Sequence, residues 1–400
     1  MIETHKPKRV IIDCRWAKAG RTITERGIGQ YSWAVIEALV EYAPHNEYIV
    51  LIERDTDLSP YIGHLYDKLQ IAAVPPVNVG VINDSNRLAY QAQFNRALAG
   101  IKADVYLNTA PAPHYQNETF LNVDMPSVVI WYDLIPNIYK AAFNPGKDYY
   151  LGVLFAKHAD AQVYISDSAA NDAYNIGFDT ARGHIAYPVV RNMVKGDPDT
   201  TDLEALGLPA GNWLLTVSGL GIHKRLEWLI EQCGMLPDEI KNRYPLIVVC
   251  DLSKFQIEQL SRLAAEVGAN VHFTGHITDA QLNALYHSAW GYIHASEYEG
   301  FGIPVAEALA CGLPCLIANA ASLPEAGGDV ARYFEHDTPS ELGNFQEAAI
   351  EFLTMPASTL EDMGQRGKQH VAKFNKQNLA ASIAAALDSA IERYNDGIPF

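Results

Sequence analysis

The stretch Glu299-Gly300-Phe301-Gly302-Ile303-Pro304-Val305-Ala306-Glu307 decides how this chain is read. An apolar strand candidate, Trp290–Ala295, runs into it, and an Ala-rich helix leaves it and ends near Gly312. Gly300 and Gly302 let backbone N–H groups approach a ligand, because no Cβ stands in the way. Pro304 suits the first helical position, where its missing N–H is no loss. The open N–H groups and positive end of such a helix favour an anion such as a diphosphate. Glu299 sits in the loop and Glu307 about one turn into the helix, so both reach one cavity. A carboxylate accepts hydrogen bonds from two vicinal hydroxyls, which is the chemistry of holding a ribose or a hexose. Taken by itself, the pattern equally describes a solvated helix start.

A length of 400 residues exceeds one ordinary core and predicts two domains. With 48% apolar and 19% charged residues the composition is that of a soluble globular protein. No apolar run approaches a bilayer span, and the polar, basic start Met1–Arg9 is not a signal peptide, so a cytoplasmic location is expected. The five cysteines, Cys14, Cys233, Cys250, Cys311 and Cys315, are scattered and lack zinc-ligand spacing, as expected of buried free thiols. A net charge of −17 argues against a nucleic-acid partner. Residues 1–188 hold 16 Lys+Arg against 20 Asp+Glu, and the remainder 14 against 27. The first half is therefore the face that would meet an anionic membrane, through Lys6, Lys8, Arg9, Arg15, Lys18, Arg21 and Arg26. A solvated tail and loop account for those charges equally well.

Read in order, Arg9–Cys14 is a β-branched run followed by a polar loop. The loop closes with Arg26-Gly27-Ile28-Gly29-Gln30-Tyr31 and enters an amphipathic helix through about Tyr42. Strand, glycine turn and helix open a Rossmann-like unit, although the full G-x-G-x-x-G spacing of a dinucleotide site is missing. Further strands are predicted at Tyr48–Glu53, Val77–Ile82, Asp104–Leu107, Ser127–Asp133 and Ala161–Ser166, with helices such as Asn86–Leu98 and Gly146–His158 between them. Lys195–Asp202 has linker chemistry and places a domain boundary near residue 190. A second series follows at Trp213–Ser218, Leu246–Cys250, Asn270–Thr274, Gly291–Ala295 and Pro314–Ala318. Alternating strands and helices in both halves predict α/β doubly wound parallel sheets. The last helix, Gln377–Tyr394, carries Leu379, Ile383, Leu387 and Ile391 on one face, which must be buried.

Two more loops carry chemistry. Ser218-Gly219-Leu220-Gly221-Ile222-His223-Lys224-Arg225 follows a strand and opens a helix, and its glycines and two fixed cations suit a diphosphate. A capped helix with solvated charges is the plain alternative. Trp131-Tyr132-Asp133-Leu134-Ile135-Pro136 lies where a strand gives way to a loop, the usual ligand edge of such sheets, and Asp133 equally suits a loop cap. Asp55-Thr56-Asp57 and Asp197-Pro198-Asp199 have a D-x-D form but lie in turn-rich text and read as loops. No histidine cluster has metal-ligand spacing, so no metal is expected.

The run Ser296–Pro304, the helix through Glu307 to Gly312 and the later Ser322-Leu323-Pro324-Glu325 resemble the donor half of retaining GT-B glycosyltransferases of family 4. Glu299 and Glu307 match that family's E-x7-E signature. The resemblance is specific over the second half of the chain and loose over the first. It implies two Rossmann-like domains facing a cleft: an acceptor-side domain over 1–190 and a nucleotide-sugar domain over 191–400. The last helix, 377–394, would pack back on the first domain. The resemblance further implies that Gly27 and Gly29 border the donor phosphates and acceptor, and that backbone around Gly275 and His276 meets the base. Lys224 matches the phosphate-loop lysine; the arginine often found before it is His223 here, and Arg225 stands as its substitute. Asp133 matches the family's His-Asp-Leu-x-Pro element, with Tyr132 in the histidine's place.

These readings converge on a retaining, metal-independent transfer of a hexose from a nucleoside diphosphate to an acceptor hydroxyl, with no other cofactor. Glu299 would hold the sugar hydroxyls, Glu307 the ribose and Lys224 the diphosphate, with Gly219, Gly300, Phe301, Gly302 and Ile303 lining the donor pocket. The chain looks most like bacterial mannosyltransferases of O-antigen and polysaccharide assembly, which puts GDP-mannose ahead of a UDP-hexose and implies a glycan or lipid-linked acceptor. A sugar-nucleotide epimerase-hydrolase of the same fold and a non-catalytic nucleotide-sugar-binding subunit are the rivals.

Overall fold

The computed structural model describes residues 6–17, 24, 27–74, 87–110, 123–145, 147–179, 182–191, 201–204, 206–209, 212–336 and 344–397. The chain divides into two units. One comprises Met1–Val189 with Phe374–Phe400, and the other Val190–Lys373.

The first unit is built on a seven-stranded parallel sheet, β1 (Arg9–Asp13), β2 (Glu47–Glu53), β3 (Leu69–Val74), β4 (Val105–Asn108), β5 (Ser127–Trp131), β6 (Ala161–Tyr164) and β7 (Gly183–Ile185). Their spatial order is β3-β2-β1-β4-β5-β6-β7. The central strands are continuous apolar runs because both sheet faces are covered. Val10, Ile11, Ile12, Val128, Val129 and Ile130 are all fully buried. The edges read differently. β3 is half exposed despite its Ile71–Val74 run, and β7 is the short Gly-His-Ile, which presents no apolar run. The strand expected at Val77–Ile82 lies outside the described residues, as does Lys195–Thr200 of the expected Lys195–Asp202 linker, whose Thr201 and Asp202 instead open the short helix Thr201–Glu204.

Helices of this unit include α1 (Ile28–Tyr42), α2 (Arg87–Ala99), α3 (Lys147–Ala156) and α4 (Asp167–Asn175). The second unit has a six-stranded parallel sheet, β8 (Leu214–Val217), β9 (Leu246–Val249), β10 (Val271–Gly275), β11 (Gly291–His294), β12 (Cys315–Ala318) and β13 (Arg332–Phe334). Its order is β10-β9-β8-β11-β12-β13. Here α5 (Leu226–Gly234), α6 (Lys254–Val267), α7 (Asp279–Ser288), α8 (Ile303–Ala310), α9 (Phe345–Leu353) and α10 (Ala357–Val371) surround the sheet or connect its strands. α6 and α7 each begin with a capping box, Ser253 with Gln256 and Thr278 with Gln281.

The last helix, α11 (Lys376–Asn395), belongs to the first unit. It buries Leu379, Ile383, Ala386, Leu387 and Ala390 and packs against α1 and the β4–β7 side of the sheet. Asp388 pairs with Lys8 at 2.5 Å and Lys376 with Glu37 at 2.7 Å. All five cysteines are buried and free. No described helix is long and apolar enough to cross a membrane.

Candidate donor site

A doubly wound sheet presents ligands at the carboxyl ends of its strands, where the strand order reverses. In the second unit that point lies between β8 and β11, which pair in parallel. The two loops singled out in the sequence are the ones that leave these strands.

After β8 the chain runs through Gly219 and Gly221 into a single tight turn, Ile222–Lys224, rather than directly into a helix. Arg225 then adopts a left-handed conformation, φ 52°, before α5 begins. This loop and the start of α5, including Arg225 and Trp228, line a cavity of about 120 Å³. At Gly219 a Cβ would meet open space, whereas one at Gly221 would come within 2.6 Å of the His223 ring. The buried His223 accepts the Glu297 N–H on its carbonyl at 2.8 Å, stitching this loop to the one after β11. A second stitch joins the Arg225 guanidinium to the Glu297 carboxylate.

After β11 comes Glu299, whose side chain is 11% exposed. Lys224 Nζ lies 2.7 Å from each of its oxygens, and His294 Nε2 lies 3.0 Å from Oε1. Burial alone would raise the Glu299 carboxyl, but Lys224 and the His294 N–H hold it well below the usual carboxylate range. Ser322 donates to the Glu299 carbonyl at 2.8 Å and fixes the loop from behind. Gly302 then turns the chain at φ 96°, where a Cβ would lie 2.8 Å from Leu323 Cδ2. Ile303, not Pro304, is the first residue of α8, so the proline occupies the second position; its N–H would also have lacked an intrahelical partner there. Phe301 is buried beneath the turn, and Gly300 is half-buried.

Glu307, one turn into α8, is buried. Tyr286 of α7 donates to its Oε2 at 3.1 Å, and Arg191 Nε donates to Oε1. Burial would lower the Arg191 pKa, but Glu307 beside it raises it above its ordinary value. Arg191 also reaches Asp279, the first residue of α7, at 3.3 Å. The expected base-binding pair, Gly275 and the exposed His276, lies just before that helix at the end of β10, with open space around Gly275.

Lys224, Glu299 and Arg225 are thus gathered by two adjoining loops, and Glu307 stands on the helix that follows them. In the first unit, Gly27 is the exposed residue before α1 and Gly29 is buried in its first turn. Asp133 accepts the Ile135 N–H at 3.0 Å in a turn just ahead of the short helix Ile135–Ile138, whose N-cap is Leu134. Tyr132 is buried and donates to the Thr109 carbonyl at 2.7 Å, with Ser32 Oγ 3.1 Å away. Among the basic residues near the start, Lys8, Arg9 and Arg15 are paired with Asp388, Glu47 and Asp13. Lys18, Arg21 and Arg26 lie outside the described residues. Asp57 caps Ser59 in a turn, whereas Asp197 and Asp199 lie outside the described residues. Among the described residues no group of three or more His, Cys, Asp or Glu side chains is arranged to hold a metal.

Sequence reasoning does not single out Arg191, Tyr286, Tyr292, His294 or Glu297. Tyr292 and His294 alternate along an apolar strand and read as core, and Arg191 has no local motif. The one available signal was His294, a histidine at the end of a buried strand five residues before Glu299.

Comparison with known proteins places this architecture. Residues 201–370 match the glycosyl transferases group 1 family. The chain is 30% identical over 355 residues to the serotype-specific mannosyltransferase WbdA of Escherichia coli, covering 81% of this chain and 42% of that protein. It therefore spans less than half the length of this relative. The O-antigen chain mannosyltransferase B of Escherichia coli is 33% identical over 123 residues, covering 29% of this chain and 31% of that protein. Among solved structures, Anabaena Alr3699/HepE in complex with UDP and glucose superposes with a TM-score of 0.67 at 16% identity, over 96% of this chain and all of that one. WaaG, a glycosyltransferase involved in lipopolysaccharide biosynthesis, gives 0.63 at 18% identity, over 95% and 98%. The two parallel-sheet Rossmann-like units thus have the GT-B fold, and residues 201–370 of the second unit match the group 1 glycosyl transferases.

Proposed function

We propose that this protein transfers a hexose, with mannose favoured, from a nucleoside diphosphate to a hydroxyl of a glycan or lipid-linked acceptor, with retention at the anomeric carbon. The observation that carries the reading is the Lys224–Glu299 pair at the reversal point of the second sheet, with Glu307 one turn into the helix that follows. The names of the relatives, mannosyltransferases of O-antigen chains, favour GDP-mannose and a polysaccharide acceptor.

The residues divide the work by chemistry. An ammonium has three N–H donors, and Lys224 directs two at Glu299, so the third remains for a phosphate oxygen. Its charge stabilises the diphosphate as the bond from phosphate oxygen to C1 breaks, while the acceptor oxygen bonds to C1 and passes its proton to the departing diphosphate oxygen on the same face. Glu299 accepts from hydroxyls of the reacting sugar, whose contacts tighten as it gains oxocarbenium character. Glu307 accepts from the ribose, remote from the breaking bond. No step is assigned to a metal. Any contact with an anionic membrane falls to Lys6 and the basic residues at 18–26, since Lys8, Arg9 and Arg15 are already paired.

The test is release of nucleoside diphosphate from GDP-mannose and UDP-hexoses, with and without a lipid-linked glycan. Release that requires the acceptor and persists in EDTA supports the reading. Release of free sugar without acceptor favours a hydrolase or epimerase, and binding without release favours a non-catalytic subunit. Glu307→Gln should raise donor KM, and Glu299→Gln should lower kcat, each by roughly tenfold to a hundredfold.

A further inference from the structure

Behind Glu299 lies a buried hydrogen-bond chain. Val217 N–H, at the end of β8, donates to the Tyr292 hydroxyl oxygen at 3.4 Å. Tyr292 OH lies 3.1 Å from His294 Nδ1, and His294 Nε2 lies 3.0 Å from Glu299 Oε1. Tyr292 is fully buried, His294 is 2% exposed, and their rings stack at 5.9 Å and 16°.

The chemistry of the ends orients the middle. An ionised carboxylate only accepts, so His294 Nε2 must carry a proton and donate it to Glu299. The Tyr292 oxygen already receives Val217 N–H, and among the described residues the only acceptor for its O–H is His294 Nδ1. A proton on Nδ1 would leave that buried hydroxyl hydrogen without a partner, which is unfavourable. The network therefore assigns the Nε2–H tautomer with Nδ1 bare, and backbone, phenol and imidazole together aim one N–H at one oxygen of Glu299. Lys224, being longer and more exposed, supplies charge without fixing direction.

We propose that His294, oriented by Tyr292, is the positioning residue that fixes the Glu299 carboxylate for the hydroxyls of the donor sugar. The proposal rests on the reading of Glu299 as a sugar ligand. It predicts a defect confined to the sugar part of the donor, because the diphosphate and ribose are met by other side chains.

Isothermal titration with GDP and GDP-mannose, and with UDP and UDP-glucose, reads that part directly as the ratio of the two affinities. His294→Leu should cut the ratio roughly tenfold while leaving nucleoside diphosphate binding within about twofold. His294→Gln, which keeps an N–H near Nε2, should restore much of it. If Glu299→Gln lowers the ratio but folded His294→Leu keeps it, the positioning role is wrong and the Glu299 reading stands. If Glu299→Gln itself keeps the ratio, the reading beneath the proposal fails and the proposal with it. Imidazole ¹⁵N correlation spectra of the wild-type protein provide a second measurement that needs no variant to fold. A protonated Nε2 with a bare Nδ1 supports the assignment, and a proton on Nδ1 overturns it.

Discussion

Replacing Lys224 by Met removes the one ammonium that, among the described residues, lies beside the nearly solvent-free Glu299 carboxylate. Glu299 is 11% exposed and Lys224 28%, so the pair sits between a surface ion pair, worth about 0–1 kcal/mol, and a buried one, whose one-sided removal costs about 3–5 kcal/mol. His294 still donates to Oε1 in the variant, which moderates the loss. We expect Lys224→Met to destabilise the second unit by about 2 kcal/mol, or about 4–8 °C in Tm for a unit of this size. Lys224→Met combined with Glu299→Gln removes the uncompensated charge and should recover to within about 1 kcal/mol of wild type. Acid titration supplies an independent sign. The Glu299 carboxyl is held low in the folded state, so its contribution is fully present above the unfolded value near 4.3. It is lost as pH falls below that, and the stability gap between wild type and Glu299→Gln should therefore narrow between about pH 5 and pH 3. Calorimetry of the full chain across that range measures both. A double variant whose loss equals the sum of the single losses would refute the coupling on which this reasoning depends.

Substitutions at two further positions test the backbone of the site. Arg225 holds φ 52° while its guanidinium pairs with Glu297, so Arg225→Gly trades a lost ion pair for relieved strain. It should stay within about 1 kcal/mol of wild type, while β-branched Arg225→Val should lose about 2 kcal/mol or more; urea unfolding distinguishes them. Gly302→Ala places a Cβ 2.8 Å from Leu323 Cδ2 at φ 96°, and should cost about 1–3 kcal/mol with reduced nucleotide affinity. An unchanged melt and unchanged GDP binding would show that this turn is not tightly built.

The central strands were legible because a parallel strand covered on both faces must be an apolar run, and Ile247–Val249 or Val128–Ile130 can hardly be anything else. The edge strands Gly183–Ile185 and Arg332–Phe334 were not, because they are specified by neighbouring strands rather than by their own pattern. The loop glycines, Lys224 and the two glutamates were legible because their chemistry is local to a turn. Arg191 was not, since its meeting with Glu307 spans 116 residues of sequence and leaves no periodic trace. Asp133 shows the opposite limit: a residue matching a family element also has a local role, accepting the first N–H of the helix that follows.

The placement of α11 in the first unit has a consequence for how the chain is made. Its buried face completes a core whose other parts end at Val189, with the whole second unit translated in between. At roughly 5–20 residues per second, the ribosome leaves the first sheet without that helix for on the order of 10–40 s. The apolar surface of α1 and of the β4–β7 side, later covered by Leu379, Ile383 and Leu387, is uncovered during that interval. The second unit has all its strands by then and can fold earlier, although it lies later in the sequence. Nascent chains arrested before residue 376 should accordingly resist protease in 201–370 while remaining cleavable in 6–189, and a chaperone that shields apolar surface should be engaged by the first half of the chain for longer than by the second.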